Sequence, residues 1–262
     1  MNHEAWQLIF DKYRIKSHSF QKIPFIITAE QIKSVTKQFR RTADREVRVL
    51  CKQDTRESRP LVFQQEGLFV LPIRNGTYAI VKGDGYVDIP EITSEVQKYR
   101  SPLDFKLDTS LVGNSEMQHL DFAFASGLIP TFIDDKSLVL TIRGRKYTPQ
   151  FDFFVKQAKI TAIGVQTEVD AGYEGKAQVI LIEAKNFKTD NTIIRQLYYP
   201  FRQWQTHTKK PVKTLFFEKR ANHYFIWEFQ FKDEHDYNSI ELIQSARFEI
   251  VCNYQDDSSE RI

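Results

Sequence analysis

Cysteine is almost missing from this chain. Cys51 and Cys252 are the only two, too few for a disulfide framework, and they point to a reducing compartment. Glycine (10 residues) and proline (9 residues) are sparse in a chain of 262, which excludes fibrous and low-complexity classes. No apolar run approaches the roughly 18 residues of a membrane span, and the start, MNHEAWQLIFDKYRIK, lacks a signal-peptide core. A soluble cytoplasmic protein is expected, with no membrane partner. An excess of one charge is lacking too: 37 Lys and Arg face 34 Asp and Glu, a net charge of +3, so bulk charge does not announce a nucleic-acid binder. The six histidines (3, 18, 119, 207, 223 and 235) are scattered without HxH or HExxH spacing, which argues against zinc. There is no GxGxxG and no P-loop lysine, so no nucleotide cofactor is expected. Ser115 in GNSEM lacks the second glycine of a nucleophile elbow.

What is present is a globular recipe. Hydrophobic residues make up 41% and charged residues 27%, with 21 Phe and 11 Tyr, enough for one domain of about 250 residues or two unequal lobes. The charge is unevenly placed. Lys33 to Arg59 holds nine basic residues against four acidic, whereas residues 101–186 hold nine against eleven. A basic patch opposite an acidic middle suits an enzyme acting on DNA, because phosphates must be attracted while carboxylates hold a metal. It is equally the pattern of a solvated helix face.

The periodicity predicts helix over residues 1–45, with Thr28 as N-cap and Gln31 completing a capping box before the Ile32, Val35, Phe39 stripe. EVRVLCK alternates and PLVF is a short apolar run, both strand patterns. GLFVLPI and YAIVKG form a hairpin turning at Arg74 to Gly76. EITSEVQKYR reads as helical, and so does GNSEMQHLDFAFASGLI, stopped near Gly127. SLVLTIRGRK, FDFFV, ITAIGVQTEVD and AQVILIEAK are successive strands, with AGYEGK supplying the last turn. A helix from about Asp190 to Trp204, interrupted at Pro200, precedes the strands KTLFFEKR and YFIWEFQF; QDDSSERI is a polar tail. The expected class is α/β, a central sheet flanked by helices.

The chemistry concentrates in VQTEVDAGYEGKAQVILIEAKN (165–186). Alternation puts Val179, Leu181, Glu183 and Lys185 on one strand face and Ile180, Ile182 and Ala184 on the other. A buried central strand thus ends in a carboxylate and an ammonium. Glu168 and Asp170 share a face of the preceding strand, and a hairpin would bring Asp170 to Glu183. Two neighbouring carboxylates repel until a divalent cation lies between them. Mg²⁺ held by Asp170, Glu183 and the Ala184 carbonyl, beside Lys185, is the arrangement of metal-dependent phosphodiester hydrolysis. The alternative is a strand-end salt bridge, since acid-x-Lys occurs four times in the chain.

These blocks resemble the PD-(D/E)XK nuclease motif as carried by a group of type II restriction endonucleases. GNSEMQHLDFAFASGL, GLFVLPIRNGTYAIVKGDGY and RQLYYPFRQW extend the likeness from about Glu46 to Trp204. The resemblance implies a PD-(D/E)XK core, a mixed sheet flanked by helices, over residues 101–262. An N-terminal mixed α/β lobe over 1–100 would grip and recognise DNA. It makes Asp170 and Glu183 metal ligands, Lys185 the catalytic lysine and Glu116 an additional acid beside the metal, and Gln196 matches a glutamine of several branches. Mn²⁺ is expected to substitute for Mg²⁺. One departure is that Asp170 follows Val169 rather than a proline, so Asp152 in PQFDFF competes with it. Asp170 is preferred because only 13 residues and a glycine-containing turn separate it from Glu183, against 31 for Asp152.

Arg143, Arg145 and Lys146 in TIRGRKY, with Arg195 and Arg202 two helical turns apart, are candidate contacts to phosphates or guanine edges. The implied function is Mg²⁺-dependent cleavage of a specific double-stranded DNA site in a prokaryotic cytoplasm, leaving 5′-phosphates. A two-fold homodimer would cut both strands. A non-catalytic DNA-binding protein and a structure-specific repair or recombination nuclease are the alternatives.

Overall fold

The computed structural model describes residues 2–252; the tail QDDSSERI lies outside them. The first helix, α1 (His3–Lys12), buries Ala5, Trp6, Ile9 and Phe10 along one stripe. A strand, β1 (Phe25–Thr28), interrupts the helical segment predicted for residues 1–45. Its last residue starts α2 (Ala29–Thr36): Thr28 Oγ1 accepts the Gln31 N–H at 3.2 Å, and Gln31 Oε1 accepts the Thr28 N–H at 2.8 Å. That reciprocal capping box contributes about 1 kcal/mol.

Three short helices follow, α3 (Thr42–Arg45), α4 (Val47–Leu50) and α5 (Leu61–Glu66). EVRVLCK and PLVF are therefore helical, not extended. Each has only two residues to bury, Val47 with Leu50 and Val62 with Phe63, and a single helical turn points both at the same core. Local β propensity yields to that packing. The hairpin of β2 (Leu68–Arg74) and β3 (Thr77–Lys82) turns where expected, with Gly76 at a φ of 68°.

The rest of the chain runs through β4 (Tyr86–Asp88), β5 (Gln97–Arg100), α6 (Glu116–Ala125) and α7 (Leu128–Ile133). It then forms β6 (Val139–Tyr147), β7 (Phe151–Val155), β8 (Ala158–Ala162), β9 (Gln166–Glu174) and β10 (Val179–Lys185). Last come β11 (Asn191–Ile193), α8 (Arg195–Gln205), β12 (Val212–Arg220), β13 (His223–Phe231) and β14 (Ile240–Val251). Seven strands make one mixed sheet in the order β5-β14-β13-β12-β10-β9-β6. EITSEVQKYR is thus not helical; its second half is β5, parallel to β14. ITAIGVQTEVD divides at Gly164 into β8 and β9.

Layering follows from alternation. Ile180, Ile182 and Ala184 on β10, with Leu215 and Phe217 on β12, pack under Leu120, Ala123, Leu128 and Ile129 of α6 and α7. On the other face, Phe216, Phe225, Trp227 and Phe229 meet Leu197, Tyr198, Tyr199 and Phe201 of α8. Strands with both faces apolar are those of a sheet covered on both sides. β10, α8 and β12 form a parallel crossover. Pro200 does not break α8, which runs through it; the helix begins later than expected because β11 takes up 191–193.

The N-terminal part does not fold apart from this sheet. One face of β2 and β3 (Leu68, Val70, Ile80) packs on α1, α2 and α5, while the other (Phe69, Leu71, Ala79, Val81) enters the aromatic core against α8. β4 pairs with β11, and β5 lies within the large sheet. Residues 86–100 therefore belong physically with the second unit.

Candidate active site

β9 and β10 form an antiparallel hairpin in which Ile182 faces Ala171. Asp170 is the next residue outward and reaches Ala184, whose N–H it accepts at 2.8 Å through Oδ2. The opposite side of β9 is irregular: Ile142 faces Gly172 and Gly144 faces Val169, so two residues of β6 oppose three of β9. This bulge contains Asp170, and bulges re-aim the side chain they carry. Gly172 is needed here, because a β carbon on it would lie 2.6 Å from Ile142 Cβ.

At the end of β10, Lys185 Nζ donates to Glu183 Oε1 and, at 3.0 Å, to the Ala184 carbonyl. Gln196 Nε2 donates to the same Glu183 oxygen at 2.7 Å, and Thr192 Oγ1 fixes the Gln196 carbonyl at 2.7 Å. The Glu183 and Lys185 side chains are only 11% and 16% exposed. Glu116, first residue of α6 after the Ser115 N-cap, lies within electrostatic reach of Lys185 and Asp170. Ser115 is thus a capping residue that accepts the Gln118 N–H.

Burial dominates the titration of these acids. It pushes the Glu183 carboxyl up to about 7, against the pull of the Lys185 ammonium and with a further push from Asp170. Burial also raises Asp170, partly offset by the Ala184 N–H and Lys185. Glu116 is raised by burial as well, with Lys185 lowering it and Asp170 raising it. For Lys185 burial works the other way, but Glu183, Glu116 and Asp170 outweigh it and hold the ammonium above the ordinary lysine value. Three acids thus crowd one ammonium where negative charge is poorly solvated.

This donor set fits a hard divalent cation. Among the described residues, neither Asp170 Oδ1 nor Glu183 Oε2 has a hydrogen-bond partner, and with the Ala184 carbonyl they offer oxygen ligands of the type Mg²⁺ prefers. No group of three or more His, Cys, Asp or Glu side chains able to hold a metal ion occurs among the described residues, so a site here depends on two carboxylates and a backbone carbonyl.

The remaining candidates divide. Asp152 lies on the separate β7–β8 hairpin, where Lys159 pairs with it at 2.8 Å and Thr161 donates to it; Asp170, not Asp152, is the aspartate whose charge acts on Glu183. Arg202 is no surface contact. It is 8% exposed, stacked over Phe151 and Tyr198, and donates to the carbonyls of Asp152 and Glu234, because α8 turns this face into the aromatic core. Arg143 forms a two-pronged pair with Asp121 of α6. Arg145 pairs across the strands with Glu168 at 3.2 Å, which points Glu168 to its own partner. Lys146 is exposed and Arg195 half-buried at the start of α8.

Two participants had no signal in the sequence. Lys52, from the basic N-terminal stretch, adds its field at Glu116. Asn186 ties the strand end to the Asn114 carbonyl at 2.9 Å. Both act across more than 60 residues of chain, beyond any local pattern.

Residues 81–249, which contain all of these groups except Lys52, match the family described as Domain of unknown function (DUF6997). The chain belongs to the DUF6997 family. Residues 3–80 match Domain of unknown function (DUF6996). The change from one family to the other falls at the end of β3, so the DUF6997 part begins before β4 and includes β5, in line with the pairing of both strands. No curated protein and no solved structure matches the chain. Among the described residues no helix is long and apolar enough to cross a membrane.

Proposed function

We propose that this protein is a Mg²⁺-dependent endonuclease with a PD-(D/E)XK core, cutting double-stranded DNA at a specific sequence and leaving 5′-phosphate ends. The observation that carries the reading is that Asp170, bonded across the β9–β10 hairpin to the N–H of Ala184, lies within electrostatic reach of both Glu183 and Lys185. Two poorly solvated carboxylates beside a lysine, at the end of a central strand, make weak structural sense and good hydrolytic sense. Asp170, Glu183 and the Ala184 carbonyl would hold Mg²⁺, which when bound supplies Lewis-acid polarisation of a phosphate oxygen.

The chain's own groups do the rest. An ammonium has three N–H donors; Lys185 spends two on Glu183 and the Ala184 carbonyl, leaving the third for the attacking water or a phosphoryl oxygen. There it orients the nucleophile and offsets charge developing on phosphorus. Gln196 and Thr192 hold the Glu183 carboxylate in one rotamer. Glu116, within electrostatic reach of Lys185 and Asp170, would be the additional acid beside the metal. Arg143, Arg145, Lys146 and Arg195 are the candidate DNA contacts, and Mn²⁺ would replace Mg²⁺. One such centre cuts one strand, so a symmetric homodimer completes the double-strand break.

The test is incubation of the protein with plasmid DNA and Mg²⁺, followed by mapping of the ends. Discrete fragments with 5′-phosphates support the proposal. Binding without cutting would replace it with a non-catalytic DNA-binding role, and end- or junction-dependent degradation with a structure-specific nuclease.

A further inference from the structure

A second feature lies away from this centre, where the N-terminal part meets the β7–β8 hairpin. A groove of about 740 Å³ is lined by Lys16, Phe20, Glu66, Lys82, Lys156 and Gln157. It continues into a hollow of about 360 Å³ that shares Lys82 and Lys156 and ends at Arg56 and Arg59. Five cations against two acids, Glu66 and Asp84, line the pair. The Lys16–Glu66 pair at 3.6 Å and the pairs of Arg56 with Asp84 and Asp88 neutralise part of this excess, and leave Arg59, Lys82 and Lys156 without an ion pair among the described residues.

The cations differ in how they are held. Arg56 is tied to Asp84 and Asp88, and Arg59 donates to the Arg56 and Leu68 carbonyls while stacking over Tyr86 at 5.1 Å. Lys82 and Lys156 are exposed, and their ammonium groups make no hydrogen bond or ion pair among the described residues. Lys156 occupies the first position of a two-residue hairpin turn at a φ of 54°, a place that favours glycine or asparagine and penalises a branched or long side chain sterically. A residue held in such a conformation without a structural partner invites a functional explanation. Its side chain lies beside Gly83, where a β carbon would come within 3.5 Å of Lys156 Cε, so the hairpin tip and the Lys82 loop face the groove together.

We infer that this groove binds the phosphate backbone of nucleic acid, duplex DNA under the endonuclease reading on which this inference rests. Loose, spaced ammonium groups suit a repeating chain of phosphates. A compact phosphomonoester would call instead for convergent, preorganised donors. The Arg56 end joins the candidate active site through hydrogen bonds: the Arg56 N–H goes to the side chain of Asn191, whose neighbour Thr192 holds Gln196 against Glu183.

The test is Lys82→Gln combined with Lys156→Asn, asparagine being tolerated at the left-handed turn position. Binding of a fluorescein-labelled DNA duplex is followed by anisotropy over a range of NaCl concentrations without divalent metal, with melting curves to verify the fold. Loss of two phosphate contacts lowers the slope of log K against log[salt] by about 2 and weakens binding roughly tenfold or more at about 0.15 M salt. Lys209→Gln, outside the groove, leaves the slope unchanged. An unaltered slope in the double variant, or an equal loss in Lys209→Gln, overturns the groove while leaving the endonuclease reading to the plasmid assay. A wild-type protein with no affinity for duplex DNA overturns the groove outright, and plasmid incubation then decides the endonuclease reading separately.

Discussion

Replacing Glu183 by glutamine separates the cost of the candidate site from its use. Folding carries the Glu183 carboxyl from an ordinary value of 4.5 up to about 7, chiefly through burial. Between those values the folded protein keeps a proton that the unfolded chain releases. Stability from this group is therefore complete below about pH 4.5 and falls as pH rises through about 7. A displacement of about 2.5 units corresponds to roughly 3 kcal/mol at 1.36 kcal/mol per unit. The side chain is only 11% exposed, so little of that is lost to solvent screening. Asp170 and Glu116 are displaced in the same direction and steepen the fall.

Glutamine approximates the protonated acid and keeps an acceptor for Lys185. Glu183→Gln should match the wild type near pH 4.5 and exceed it by about 3 kcal/mol near pH 9, while abolishing cleavage. Urea denaturation at several pH values measures the difference. A saturating divalent cation should remove it: at about 100 times its Kd the ion stabilises the wild type by about 2.7 kcal/mol, whereas the variant gains little. If Glu183→Gln lost stability with rising pH as steeply as the wild type, the buried-carboxylate argument would be refuted.

Further outcomes follow from the same geometry. Asp170→Asn should abolish Mg²⁺-dependent plasmid cleavage, whereas Asp152→Asn leaves it within a few-fold; the reverse would move the site to the β7–β8 hairpin. Arg202→Met should lower the unfolding free energy by about 1.5–3 kcal/mol by removing the charge-assisted hydrogen bonds of the buried guanidinium to the Asp152 and Glu234 carbonyls, without changing the salt dependence of DNA binding. A changed salt slope would make Arg202 a phosphate contact after all. Gly172→Ala should cost about 1–3 kcal/mol through its clash with Ile142, a drop of roughly 2–4 °C in Tm per kcal/mol; an unchanged melting curve would mean that β6 and β9 are not in this register.

The parts of this protein that are local or strictly periodic are legible in its sequence. The Thr28–Gln31 capping box, the Arg74–Gly76 hairpin, the helix opening at Glu116 and the alternating faces of β10 all depend on neighbours within a few residues, where side-chain spacing dictates geometry. EVRVLCK, PLVF and EITSEVQKYR fold against their local patterns because such short segments have nearly balanced preferences, and distant packing tips them. The carboxylate pair was legible because Asp170 and Glu183 sit on consecutive strands joined by one turn. Tertiary structure alone decided that a bulge in β9 carries Asp170, that Gln196 and Thr192 lock Glu183, that Arg202 faces inward, and that Lys82 and Lys156 share a groove. Each of these joins segments whose separation in the chain carries no information about their distance in space.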